Sequence, residues 1–96
     1  TALMGAARAG CHEIIPVLID AGAGVDKANT TMSGATALYY AADAGRTAAV
    51  QALLAAGADV NQPRNDGATP LYISAQNGHS ETTKLLLAAG GGGPGG

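Results

Sequence analysis

An all-α fold of three stacked helix–turn–helix units is what this 96-residue sequence predicts. Two observations carry the prediction: a short pattern recurs three times at nearly constant spacing, and apolar residues within each copy fall at helical intervals. The first copy reads Thr1, Ala2, Leu3, then Ala6, Ala7, Gly10, Leu18, Ile19, Gly22 and Ala23. The second reads Thr36, Ala37, Leu38, then Ala41, Ala42, Gly45, Leu53, Leu54 and the run Gly57, Ala58, Asp59, Val60, Asn61. The third reads Thr69, Pro70, Leu71, then Ser74, Ala75, Gly78, His79, Leu86, Leu87 and Gly90. Corresponding positions lie 35 residues apart between the first two copies and 33 between the last two. A period of about 33 residues marks supersecondary units that cannot bury their apolar faces alone and must stack.

Each unit can be justified in chain order. Thr36 and Thr69 are N-cap candidates, whose hydroxyl accepts from an otherwise unpaired helix N–H. Pro70 then falls at the first helical position, where its missing donor costs nothing. The short first helix stops at Gly45 or Gly78, because glycine tolerates the left-handed backbone of a helix end. Second helices show apolar residues at i, i+3 and i+4: Ile15, Leu18, Ile19, then Val50, Leu53, Leu54, with Thr83, Leu86, Leu87 on the same face of the third. Gly22, Gly57 and Gly90 end them. Two weak points are expected. Pro16 removes a donor early in its helix and should bend it, and Thr82 and Thr83 need hydrogen-bond partners if buried.

The motif Asp66, Gly67, Ala68, Thr69, Pro70, Leu71, Tyr72 followed by Asn77, Gly78, His79 resembles the ankyrin repeat, as does the unit end Gly57 to Asn61. The resemblance runs from Thr1 to Gly90. It implies an ankyrin-like repeat solenoid of three helix–turn–helix units with finger loops, the units falling at about 1–30, 31–63 and 64–90. The polar stretches Lys27 to Ala35 and Gln62 to Ala68 then become hairpin-like fingers, and Asn65, Asp66, Gly67 have suitable turn chemistry. The first finger is two residues longer, which accounts for the wider first spacing. Where the family usually has histidine after Thr-Pro-Leu, this chain has Met4, Tyr39 and Tyr72. Residues 91–96 are five glycines and a proline and read as a linker or tail.

Composition narrows the function. Apolar residues make up 47%, yet Phe and Trp are absent, so the core must come from Leu, Ile, Val and Ala. The net charge is −2, and the basic residues Arg8, Lys27, Arg46, Arg64 and Lys84 are scattered. No basic stripe is available to grip a phosphate backbone, which argues against nucleic acid. No apolar run reaches the roughly 18 residues of a membrane span, so direct membrane insertion is not expected. The single cysteine excludes an internal disulfide framework and fits a reducing, intracellular compartment, although secreted domains without disulfides exist. The chain does not begin with Met, which leaves targeting open.

Only Cys11, His12, Glu13 invites a catalytic reading. Neighbours in sequence generally point different ways, and the third unit has His79, Ser80, Glu81 at the same place, so these are expected to be turn residues followed by a first-turn acid. Cys11, His12 and His79 make no ligand spacing, and the glycine tail lacks the partners of a phosphate loop. No enzyme and no cofactor is expected.

What the resemblance implies is a protein-binding module whose partner meets the fingers and the first-helix surface. Position by position this surface comprises Arg8 and Ala9 in the first unit. In the second it comprises Met32, Ser33, Ala35, Tyr40, Asp43 and Ala44; in the third, Asn65, Asp66, Ala68, Gln76 and Asn77. Tyr40, at the place of Gly5 and Ile73, suits either inter-unit packing or contact with a partner. Two alternatives remain open: an accessory subunit wedged into a larger assembly, and a regulatory segment of a multidomain protein.

Overall fold

A computed structural model describes residues 2–22, 36–64 and 66–90. Of the expected features, the first finger, Asn65 and the glycine tail lie outside the described residues, and so do Met32, Ser33 and Ala35.

Six helices are present among the described residues: α1 (Ala2–Ala9), α2 (Ile15–Asp20), α3 (Ala37–Asp43), α4 (Thr47–Ala55), α5 (Pro70–Gln76) and α6 (Ser80–Ala88). The fold is all-α, as expected. Each consecutive pair forms one unit. The first helices α1, α3 and α5 pack in one row, and the second helices α2, α4 and α6 pack in another behind it. Helices of six to nine residues would be marginal alone. Burial between the rows and between units is what holds them.

That burial rests on small side chains. Leu3, Met4, Ala7, Ile15, Leu38, Ala41, Ala42, Ala49, Val50, Leu53 and Leu86 form one continuous buried cluster. Alanine loses no rotamer freedom on burial and lets helix backbones approach closely. Each one removes little apolar area from water, at about 25 cal/mol per Å². The few large aliphatics therefore carry the core, and Leu53 at its centre is fully buried.

The local signals act as the sequence suggests. The Thr36 hydroxyl accepts from the Tyr39 N–H at 3.3 Å, and the Thr69 hydroxyl from the Tyr72 N–H at 3.2 Å. Pro70 opens α5 and is buried. At the other end of α3, Gly45 donates to the Ala42 carbonyl and Arg46 to the Ala41 carbonyl. Gly10 with Cys11, and Gly78 with His79, repeat that pair of bonds. This two-bond closure needs a left-handed residue after the cap. The run from Gly57 to Asn61 closes α4 similarly: Ala58 donates back to the Leu53 carbonyl, and the Asp59 carboxylate accepts from the Asn61 N–H at 3.0 Å.

Two expectations need correction, those for Pro16 and Leu87, and the condition set for Thr82 and Thr83 is met. Pro16 does not bend a helix interior; it falls in the first turn of α2, where no donor is needed. The cost appears at the start instead. α4 and α6 begin at Thr47 and Ser80, equivalent to His12, whereas α2 begins only at Ile15. A helix begun at His12 would ask Pro16 for a bond to the His12 carbonyl, so residues 12–14 form a turn. Thr82 and Thr83 are not orphaned: the Thr82 hydroxyl meets that of Thr47 at 3.3 Å, and Thr83 pairs with Ser74 at 2.9 Å while donating to the His79 carbonyl. Leu87 does not join the buried stripe. It is 55% exposed, while its equivalent Leu54 is half-buried. Among the described second helices α4 has one on either side and α6 has one only, so the outer flank of α6 stays open.

Gly45 and Gly78 share one structural task at φ +68° and +75° but have different neighbours. A Cβ on Gly45 would stand 2.7 Å from the His79 ring, whereas among the described residues nothing lies within 4 Å of one on Gly78. Gly78→Ala should therefore cost only the left-handed backbone penalty, about 1–2 kcal/mol. Gly45→Ala should cost about 1–3 kcal/mol more, from overpacking. Urea unfolding of both variants checks this, and equal costs would contradict it.

Candidate functional site

At the ends of α1 and α3 one side chain from the following unit is held against the backbone. The Arg46 Nε donates to the Arg8 carbonyl at 3.2 Å. One unit later the His79 Nε2 lies 3.0 Å from the Asp43 carbonyl, and a hydrogen bond there requires that nitrogen to carry the proton. Arg8 and Asp43 are repeat equivalents, and so are Arg46 and His79. The same connection is thus made twice with different chemistry. His79 is committed to joining units, and Cys11, its equivalent in the first unit, is exposed.

This connection sets the spacing of the candidate surface. Arg8 is exposed, and its guanidinium lies 5.9 Å from the centre of the Tyr40 ring, joining α1 to α3. Tyr40 also meets Tyr39 edge to face, with ring centres 6.4 Å apart. Asp43 and Asn77 are brought together across the next boundary: the Asn77 amide donates to the Asp43 carboxylate at 2.8 Å and to its carbonyl at 3.0 Å. Gln76 and Ala9 are exposed on the same helix ends, and Ala44 is half-buried beside Asp43. Five of the expected residues, Arg8, Tyr40, Asp43, Gln76 and Asn77, thus lie along one edge of the first-helix row.

The second finger, Gln62 to Ala68, is closed by its own residues. Arg64 donates its N–H to the Ala68 carbonyl at 2.7 Å, and Gly67 donates to the Arg64 carbonyl at 2.9 Å. The Asp66 carboxylate accepts from the Ala68 N–H at 3.0 Å and from Arg64 Nε at 3.3 Å, with a second bond from the guanidinium. Arg64 in turn lies over Tyr39, 5.1 Å from the ring centre. A finger of the third unit thereby covers an aromatic of the second. Sequence reasoning missed Arg64, Arg46 and His79. The signal for Arg64 was its place two residues before Asp66, one side of the turn from the other.

The electrostatics follow from these contacts. The Arg64 guanidinium and the Ala68 N–H hold the Asp66 carboxyl at about 2, below its ordinary range. Burial pushes the Tyr39 phenol up, an effect that the cation of Arg64 opposes. Among the described residues no group of three His, Cys, Asp or Glu is placed to hold a metal ion, and no helix is long and apolar enough to cross a membrane.

A family model of ankyrin repeats in three copies matches residues 3–93, and the chain belongs to this family. No curated protein matches the chain. Ankyrin repeats are in general protein–protein interaction modules, and domains of this kind are typically non-catalytic.

The Asp66 carboxyl is held low in the folded chain, so its contribution to closing the finger is present above the unfolded carboxylate range and is lost as pH falls through about 2. Carboxyl carbon shifts followed from pH 6 to pH 1.5 should show Asp66 titrating near that value, and Arg64→Gln should move its midpoint upward. A midpoint near 4 in the native protein would contradict the pairing.

Proposed function

We propose that this chain is a non-catalytic module that binds a protein partner through its finger loops and the first-helix surface. One observation carries the reading. Equivalent positions at the ends of α1, α3 and α5 hold Arg8, Asp43 and Gln76, which are basic, acidic and neutral, on backbones that are capped in the same way. A core position would repeat its chemistry, as Leu3, Leu38 and Leu71 do. Variation on a repeated frame is what a surface matched to one partner requires.

Rigidity supports the reading as well. Arg46, His79 and Asn77 tie each helix end to its neighbour, so Arg8, Tyr40, Asp43 and Gln76 stand at fixed separations before any partner arrives. Pre-ordered side chains lower the entropy lost on binding. The surface places both signs of charge beside an aromatic ring, a mixture suited to a polar protein surface. The finger residues Asp66 and Ala68 belong to the proposed surface, together with Met32, Ser33, Ala35 and Asn65.

A second reading, an accessory subunit held in a larger assembly, has an observation of its own. Val17 and Leu87, on the outer flanks of the first and third units, are 61% and 55% exposed. An assembly that covers those flanks would bury them.

Photocrosslinking separates the two. The chain carrying p-benzoylphenylalanine in place of Gln76 should crosslink its captured partner, while the same group in place of Gln51 on α4 should not. Arg8→Glu with Gln76→Glu should weaken capture on the order of tenfold or more, with the helical circular dichroism unchanged. Crosslinking from position 51, or undiminished capture by the double variant, would remove the first-helix surface from the interface. Stoichiometric crosslinking from position 17 would favour the accessory-subunit reading.

A further inference from the structure

The turn that ends each first helix is bonded the same way in all three units, but the residue before its glycine changes. It is Ala9 in the first unit, Ala44 in the second and Asn77 in the third. Two units close the turn with alanine, so the closure itself does not ask for an amide. Asn77-Gly78 is the one Asn-Gly pair in the sequence, and both residues are exposed. The Asn77 amide crosses to the second unit, donating to the Asp43 carboxylate at 2.8 Å and to its carbonyl at 3.0 Å. On the far side of the glycine, the His79 Nε2 lies 3.0 Å from that same carbonyl. Gly78 is thus flanked by two residues that join the third unit to the second.

We propose that Asn77 is a self-modification site: a latch between the second and third units that deamidation destroys irreversibly once their boundary opens. The inference goes beyond the protein-binding reading and does not depend on what the surface binds. Asparagine before glycine cyclises readily, because glycine has no Cβ to shield its backbone nitrogen. The Gly78 nitrogen attacks the Asn77 Cγ, forming an N–C bond and giving up its proton. The Cγ–Nδ2 bond breaks and Nδ2 leaves with that proton as ammonia, which leaves a five-membered succinimide. Water then opens either carbonyl of the ring, its hydroxyl going to carbon and its proton back to the Gly78 nitrogen. The products are aspartate, or isoaspartate with the backbone routed through Cγ.

The closed stack holds this reaction back in three ways. The Gly78 N–H is engaged with the Ala75 carbonyl at 3.1 Å. Asn77 ends α5 at ψ 0°, which turns the Gly78 nitrogen away from Cβ, whereas ring closure needs the two eclipsed. The leaving nitrogen is tied to Asp43 by two bonds that cyclisation must break. Opening the boundary removes the last restraint, and fraying of the end of α5 removes the other two. Conversion then prevents closing again. A carboxylate at position 77 has no N–H to give Asp43 and sets a second negative charge against it. Isoaspartate also lengthens the backbone by a methylene just before His79, the other residue that reaches Asp43.

The test follows residue 77 in the whole chain by peptide mass mapping, with chromatography to separate aspartate from isoaspartate. In mildly alkaline buffer it should convert at least about tenfold more slowly in the folded chain than in guanidinium. His79→Ala, which loosens the boundary and leaves the Asn-Gly pair in place, should speed conversion of the folded chain about two- to tenfold. Converted protein, separated from unconverted by ion exchange, should show faster hydrogen exchange in α5 and α6 while α1 and α2 keep their protection. Asn77→Asp should reproduce that loss, exceed the loss in Asn77→Ala, and recover in part at about 1 M salt, where charges are screened. Equal conversion in the folded and unfolded chain, or unchanged conversion in His79→Ala, would overturn the latch. So would unchanged hydrogen exchange after conversion, or an Asn77→Asp variant protected as well as Asn77→Ala. The conversion measurements need no variant at position 77, so they decide the matter even where Asn77→Asp fails to fold.

Discussion

A carbonyl in the last turn of α1 and of α3 is claimed by the turn of the next unit, and the rest of the stack depends on that reach. Arg46 meets the Arg8 carbonyl and His79 the Asp43 carbonyl, at 3.2 and 3.0 Å. Helix ends leave carbonyls without partners, and the penalty for leaving one unpaired bears on the Asp43 carbonyl, whose bond is part-buried, more than on that of Arg8, whose bond is exposed. Satisfying it from the neighbouring unit turns a local need into a stacking constraint. Gly10 and Gly45 belong to the same arrangement, since a Cβ on either would stand 2.9 Å from the Arg46 Cδ or 2.7 Å from the His79 ring. The left-handed glycine therefore closes its own helix and clears the way for the next unit's side chain.

Polar groups at the second boundary obey the same logic. Thr47 with Thr82, Asn77 with Asp43, and Asn61 with the Gly90 carbonyl each cross between the second and third units. Among the described residues no buried side-chain polar atom lacks a partner. Each such bond is worth about 1 kcal/mol net. The part-buried Thr47–Thr82 pair also sets register, because displaced stacking would leave those hydroxyls short of a partner. The surface edge inherits that register, so Arg8, Tyr40, Asp43 and Gln76 are positioned by residues that need not touch a partner.

Much of this was legible in the sequence, for identifiable reasons. Period, threonine caps, glycine stops and apolar spacing are local signals, and each is repeated, so an error in one copy is corrected by the others. Features that depend on the neighbour were not legible. Cys11, Arg46 and His79 occupy one position with three different chemistries, and only the stack shows that two of them do the same thing. Tyr39 and Tyr72 follow nearly the same local sequence, yet among the described residues Tyr39 is buried with Arg64 over its ring and Tyr72 is exposed. Pro16 was placed correctly along the chain but not within its helix, since the delayed start of α2 moved it into the first turn. For the candidate surface, the resemblance implied the positions, and the pairings of Arg8 with Tyr40 and Asp43 with Asn77 emerge only in the folded stack.

The central claim is that units are joined boundary by boundary through these backward bonds. Native-state hydrogen exchange on His79→Ala tests it most directly. Nearest-neighbour stacking predicts that amides of α5 and α6 lose protection about two- to tenfold, the equivalent of one hydrogen bond, while α1 to α4 keep theirs. An equal loss across all six helices would show one indivisible core instead of joined units. Unchanged protection in α5 and α6 would show that the His79 bond to Asp43 does not hold the third unit in place.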